Sequence, residues 1–116
     1  MEIKRAAIID DKIAICNRWK IKNPSWNIDF FYDIEEFIDR YRDGVYQLII
    51  ADYDLGYITS LEFKLGKKIR SFGYTNKLIL STVHSLSVID QHKDIENFDG
   101  IHKKMSLDFN IDNFVN

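Results

Sequence analysis

The chain has 116 residues, 46% hydrophobic and 29% charged, which is enough for one packed core and too little for two. Its 16 basic and 18 acidic residues leave no cationic field to hold a nucleic-acid backbone, which argues against direct DNA or RNA binding. The short apolar run before Asp10-Asp11 is neither a signal peptide nor a membrane span, and the lone Cys16 can form no intrachain disulfide; the expectation is a single cytoplasmic domain over 1–116 with no membrane contact.

A first strand at about 3–9 (IKRAAII) ends in Asp10-Asp11, and Cys16 follows inside an apolar helical pattern as a small core residue. Pro24, the one proline, marks a loop before a second strand at 27–32 (NIDFFY). Helix two is the clearest. Asp33 and Glu36 make a capping-box-like start, Ile34, Phe37, Ile38 and Tyr41 follow the helical spacing, and Gly44 is the expected end. The third strand, 47–51 (QLIIA), delivers Asp52 to its tip. A third helix is expected from Thr59 or Ser60, with Glu62 as reciprocal cap and Leu61, Leu65 and Ile69 buried. After a fourth strand at 77–82 (KLILST), the segment between Ser85 and Phe98 is the weakest helix, with few large aliphatics. A fifth strand at 100–103 (GIHK) leads to a last helix after Ser106, with Leu107, Ile111, Phe114 and Val115 on one side. Trp19 and Trp26 read as packing residues, and His84, His92 and His102 as surface or partly buried polar groups, since no spacing among them suits zinc.

Five β-rich runs alternating with five helical stretches are the signature of βα units on a parallel sheet. A series of this length predicts a flavodoxin-like (βα)5 fold: three layers around a doubly wound parallel five-stranded sheet, order 2-1-3-4-5. The crevice of such a sheet lies at the carboxyl ends of its strands. Asp10-Asp11, Asp52, Ser81-Thr82 and Lys103-Lys104 each end one strand, so all four groups converge there. Crowded carboxylates repel, and a hard divalent cation with oxygen ligands, Mg²⁺ before Ca²⁺, is the simplest relief. A metal, a nucleophilic carboxylate, a hydroxyl and an ammonium together describe phosphoryl transfer to aspartate.

On these residues, the acidic pair of IIDDK, Asp52 in LIIADYDLG, the hydroxyl of LILSTVH and the lysine of DGIHKK, the chain resembles the response-regulator receiver domains of two-component signalling. The resemblance spans the whole chain. It implies that Asp52 is the phosphoacceptor, that Asp11 binds Mg²⁺ directly and Asp10 through water, and that the Asp54 backbone carbonyl is a further ligand. It also implies that Lys104 pairs with the phosphoryl group and that Thr82 hydrogen-bonds it. Thr82 is preferred to Ser81, and Lys104 to Lys103, by family spacing; Thr82 also shares its strand parity with Leu78 and Leu80. Asp54 and His84, each two residues beyond a site residue, are expected to face each other across the crevice mouth and to modulate the reaction. A histidine kinase or histidine phosphotransfer protein would supply the phosphoryl group. A homodimer or an effector would bind the face built from the fourth helix, fifth strand and fifth helix.

Departures from the family pattern concern switching more than chemistry. Ile101 stands where an aromatic switch residue is usual, Val83 where a small residue follows the threonine, Gly56 where a proline is frequent, and Met105 where proline follows the lysine. Two other readings use the same residues. A pseudo-receiver would keep the fold as a phosphorylation-independent interaction module. Asp52-Tyr53-Asp54 before Leu-Gly is also similar to the nucleophile loop of haloacid-dehalogenase-like phosphatases, but there the motif sits on the first strand and the acidic pair comes late. The chain is therefore expected to be no enzyme beyond its own phosphorylation and dephosphorylation.

Overall fold

The computed structural model describes residues 4–42 and 45–115. Five strands, β1 (Arg5–Ile9), β2 (Asn27–Phe31), β3 (Leu48–Asp52), β4 (Lys77–Thr82) and β5 (Gly100–Lys103), form one parallel sheet in the order β2-β1-β3-β4-β5. This is the expected flavodoxin-like topology, and each strand lies within two residues of its expected bounds. β3 and the end of β1 are buried on both faces because the sheet is covered on both, which explains why they read as unbroken apolar runs.

Side chains alternate between two layers. Ala7, Ile9, Ile49, Ala51 and Leu78 pack with Phe37 of α2 (Ile34–Arg40) and with Leu65 and Ile69 from the third helical region. Ala6, Ile8, Leu48, Ile50 and Ile79 pack on the other face with Trp19 of α1 (Ile13–Lys22) and with Phe109 and Ile111. Cys16 and both tryptophans are buried, as their placement in apolar patterns predicts.

The helices depart from expectation more than the strands. Asp33 does cap α2, accepting from Glu36 N–H at 2.7 Å, but the helix stops at Arg40, and Tyr41 leaves it to stack on Phe72 at 4.9 Å between ring centroids. The expected end at Gly44 lies outside the described residues. The third helix is two: α3 (Ser60–Phe63), with the full Thr59–Glu62 capping box, and α4 (Leu65–Ser71), separated by Lys64 in the left-handed conformation at φ 64°. Asp94 makes the break tolerable. Its carboxylate, 28 and 27 residues away in sequence, accepts from the Gly66 and Lys67 N–H groups at 2.8 Å each and so satisfies donors that α4 would otherwise leave orphaned.

The weak segment after Ser85 folds as a single turn, α5 (Leu86–Ile89), and a 3₁₀ stretch Lys93–Asn97. The last helix, α6, covers only Asp112–Val115. Leu107 is 71% exposed at φ 63°, so it does not join the apolar side expected of it, whereas Ile111 is buried and Phe114 and Val115 pack against the α1 layer. Asn23 explains the extended approach to α6: its buried amide donates to the Phe109 carbonyl at 2.8 Å and accepts from Ile111 N–H at 2.8 Å. No helix among the described residues is long and apolar enough to cross a membrane.

Candidate phosphoryl and metal site

Parallel pairing in register, Ile9 beside Ala51 and Asp52 beside Ser81, brings the ends of β1, β3 and β4 level. Asp10, Asp11 and Asp52 therefore meet, with one carboxylate oxygen from each within 4.8 Å of the others. Asp10 and Asp52 are 1% and 2% exposed, whereas Asp11 stands in solvent with Lys12 Nζ 3.2 Å from its Oδ1. That exposed ion pair is weak and easily exchanged for a cation.

Lys104 supplies the counter-charge. Its Nζ donates to Asp52 Oδ1 at 2.7 Å and lies 3.3 Å from Asp10 Oδ2, with the side chain only 9% exposed. The Lys104–Met105 bond is trans and the lysine still reaches the carboxylates. Lys103 points outward. Asp52 Oδ2 is buried and has no hydrogen-bond partner. Burial, then repulsion from Asp10, pushes the Asp52 carboxyl up to about 7, with Lys104 opposing both.

That partnerless oxygen tests whether a cation belongs here. Two buried carboxylates share one ammonium, a third lies at the rim, and one acceptor remains unused; this all-oxygen set fits a hard divalent ion. The loop that follows closes on two of its own carbonyls. Ser60 N–H and Leu55 N–H bond the Tyr53 and Ile58 carbonyls at 2.8 and 3.2 Å, so the turn closes on those two and not on the Asp54 carbonyl. Gly56 adopts φ 84°, and a Cβ there would meet Asp11 Oδ2 at 4.0 Å.

The hydroxyls separate by parity. Thr82 is buried on the face of Leu78 and Leu80, and its Oγ1 accepts the His84 N–H at 2.9 Å. Ser81 faces the other layer, with Oγ 2.8 Å from His102 Nδ1. His84 Nε2 lies 3.0 Å from Asp54 Oδ2, so the two do meet as their spacing predicts, and the His84 ring sits edge-on to Tyr53 at 5.0 Å. Ile101 is half-buried against Tyr53, Leu61, Leu80 and Ile89. Beneath the acid pair, Cys16 is buried with its thiol pushed up to about 12, first by burial and then by Asp10, which makes it inert at neutral pH.

Sequence reasoning passed over Asp94, 6% exposed, and read His102 as a surface or partly buried polar group, whereas it is fully buried at 1% exposed. Both had a signal. His102 is the inward-alternating position of a four-residue strand, and Asp94 precedes the apolar Ile95 in a segment with little other reason to dock.

The architecture matches known structures. TrrA, a response regulator of Thermotoga maritima solved with Mg²⁺ and beryllofluoride, is 26% identical with a TM-score of 0.75 across 96% of this chain and 92% of its own. The chain has the response-regulator receiver fold. A two-component response regulator of Clostridium difficile, 23% identical over 87% of this chain and 83% of its own, has a TM-score of 0.73. A CheY-like receiver domain protein of Methanospirillum hungatei, 18% identical over 89% and 82%, has a TM-score of 0.72. No protein-family model and no curated protein matches the sequence.

Proposed function

We propose that the chain is a phosphoacceptor receiver that takes a phosphoryl group onto Asp52 from a phosphohistidine of a histidine kinase or phosphotransfer protein. The observation that carries this reading is the Asp52 carboxylate, one oxygen held by Lys104 and the other buried without a partner beside Asp10. A carboxylate oxygen attacks phosphorus, the P–N bond to the donor imidazole breaks, and the nitrogen leaves with the bonding pair. Asp10, Asp11, Asp52 and the Asp54 carbonyl would hold Mg²⁺, which when bound supplies positive charge against the carboxylates and the incoming dianion. Lys104 would bind a phosphoryl oxygen once Asp52 Oδ1 becomes the bridging oxygen of an acyl phosphate. Thr82 can offer its hydroxyl to another, giving up its bond to His84 N–H.

The chain then acts as a cytoplasmic signalling domain and not as an enzyme on an external substrate. Its docking face for an effector or a second copy is α5, β5 and α6 with the 3₁₀ stretch Lys93–Asn97. Intact mass after incubation with Mg²⁺ and a small acyl phosphate tests the reading. A lasting adduct of one phosphoryl group, absent in Asp52→Asn and in excess chelator, is expected. No reaction favours a phosphorylation-independent binding module, and turnover without an adduct favours a phosphatase.

A further inference from the structure

Between buried His102 and buried Phe109, the residues that carry Lys104 bury no apolar side chain: Met105 is 80% exposed, Leu107 71%, and Lys103 and Ser106 are exposed too. Packing cannot hold this turn. Its internal bonds, Ser106 Oγ donating to the Lys103 carbonyl at 2.7 Å and Asp108 N–H to Ser106 Oγ at 3.4 Å, set its local shape but do not fix it to the sheet. His102 does. One ring nitrogen, Nε2, lies 2.6 Å from the Asp108 carbonyl across the base of the turn, and the other, Nδ1, lies 2.8 Å from Ser81 Oγ on β4.

The ring's state follows from its partners. A carbonyl only accepts, so Nε2 carries the hydrogen, and a neutral ring then leaves Nδ1 to accept from the Ser81 hydroxyl. Burial, which here includes the rings of Trp19, Phe109 and Phe114 at 4.8, 4.9 and 5.5 Å, pushes the imidazole below its ordinary value and keeps it neutral. With both nitrogens used and three rings around it, the imidazole is a rigid strut between β4 and the end of the lysine turn.

We propose that His102 is a positioning residue for Lys104, fixing through the Asp108 carbonyl the turn that aims the ammonium at Asp52. The inference rests on the receiver reading for its activity readout, but its structural readout is independent of it. Lysine followed by Met105 has no proline ring to restrict the backbone at this point, so a bond from the strand to the far side of the turn takes over that restriction. A displacement of about 1 Å at a reacting group can cost on the order of a hundredfold in rate, so a bond outside the site can govern chemistry inside it.

Two replacements separate the ring's two bonds. His102→Gln places an amide donor near Nε2 and can keep the Asp108 bond, while His102→Asn is too short for Asp108 and keeps only the Ser81 side. Each is made in the full chain, alone and with Lys104→Met, and phosphorylation by a small acyl phosphate with Mg²⁺, Mg²⁺ affinity by calorimetry, and hydrogen exchange of Lys104–Asp108 are measured. His102→Asn should slow phosphorylation roughly tenfold or more, leave Mg²⁺ affinity unchanged and speed exchange in the turn. His102→Gln should restore both rate and protection. In the Lys104→Met background, His102→Asn should add no further loss, because its effect passes through the lysine. Equal losses in the Gln and Asn variants, or fully additive losses with Lys104→Met, overturn the proposal. A wild type that takes no phosphoryl group refutes the receiver reading instead, and the exchange pattern of the turn then decides the role of His102 by itself.

Discussion

Lys104 Nζ stands 2.7 Å from Asp52 Oδ1 and is shared with Asp10, so one buried ammonium offsets two buried carboxylates. Burial first, and then repulsion from Asp10, raises the Asp52 carboxyl from 3.8 to about 7 in the folded state, with Lys104 opposing both. Between those values the folded chain holds a proton that the unfolded chain has released, and folding is favoured by it. Stability of the metal-free protein should therefore decline as pH rises from about 4 to about 7. Asp52→Asn should remove that slope, and millimolar Mg²⁺ should flatten it by stabilising the carboxylate. Urea unfolding at several pH values, with and without Mg²⁺, checks both; identical slopes in wild type and Asp52→Asn would contradict the assignment.

The bond between Asp54 Oδ2 and His84 Nε2 at the mouth of the crevice concerns lifetime more than stability. An extra carboxylate near a phosphoryl dianion costs on the order of 1 kcal/mol at surface-like dielectric, yet it can orient the attacking water. Asp54→Asn should speed phosphorylation several-fold and lengthen the life of phospho-Asp52. His84→Ala, which frees the carboxylate, should do the reverse. Phosphate-release rates for the three proteins decide this, and equal rates would leave the pair without a role.

Gly66 illustrates two opposed effects whose sizes differ. Alanine is favoured over glycine inside a helix by about 1 kcal/mol. Here, though, a Cβ would lie 2.7 Å from Phe98 Cε1 and 3.0 Å from Asp94 Oδ2, the carboxylate that caps α4. Overpacking of this kind costs about 1–3 kcal/mol, and loss of the cap adds to it. Gly66→Ala should lower the urea midpoint with little change in the slope of the transition; a raised midpoint would mean that Phe98 and Asp94 give way freely.

The sheet and the carboxylate site were legible because both are encoded by local pattern. Each strand is a short apolar run, and each reactive residue follows its strand directly, so topology alone brings Asp10, Asp11, Asp52 and Lys104 together. Helix ends were not legible in the same way. The start of α4 depends on Asp94 from a segment 28 residues later, and the extended path of 107–111 depends on Asn23 at the end of α1. Such bonds override helical periodicity without leaving a periodic trace. His102 was read as a surface or partly buried polar group for a related reason: its burial rests on the Ser81 and Asp108 partners, which only the folded chain brings to it.

Thr82 Oγ1 already has a partner, the His84 N–H at 2.9 Å, and that bond holds the start of the segment leading to α5. If the hydroxyl turns to a phosphoryl oxygen on Asp52, this N–H is released and the turn at 83–85 loses its tie to β4. Little else resists the change nearby: Val83 is 58% exposed, Leu86 48% and Val88 38%, and α5 is one turn long, so only Ile89 anchors it in the core. Ile101, aliphatic and half-buried, offers no ring to fill the space that Thr82 leaves. Phosphorylation should therefore raise hydrogen exchange at His84–Ile89 first, with smaller changes along β5. Thr82→Ala removes the bond in advance, so it should raise exchange in the same stretch without phosphorylation and leave little further change on adding the phosphodonor. Changes confined to α1 and α2 would place the switch elsewhere in the molecule.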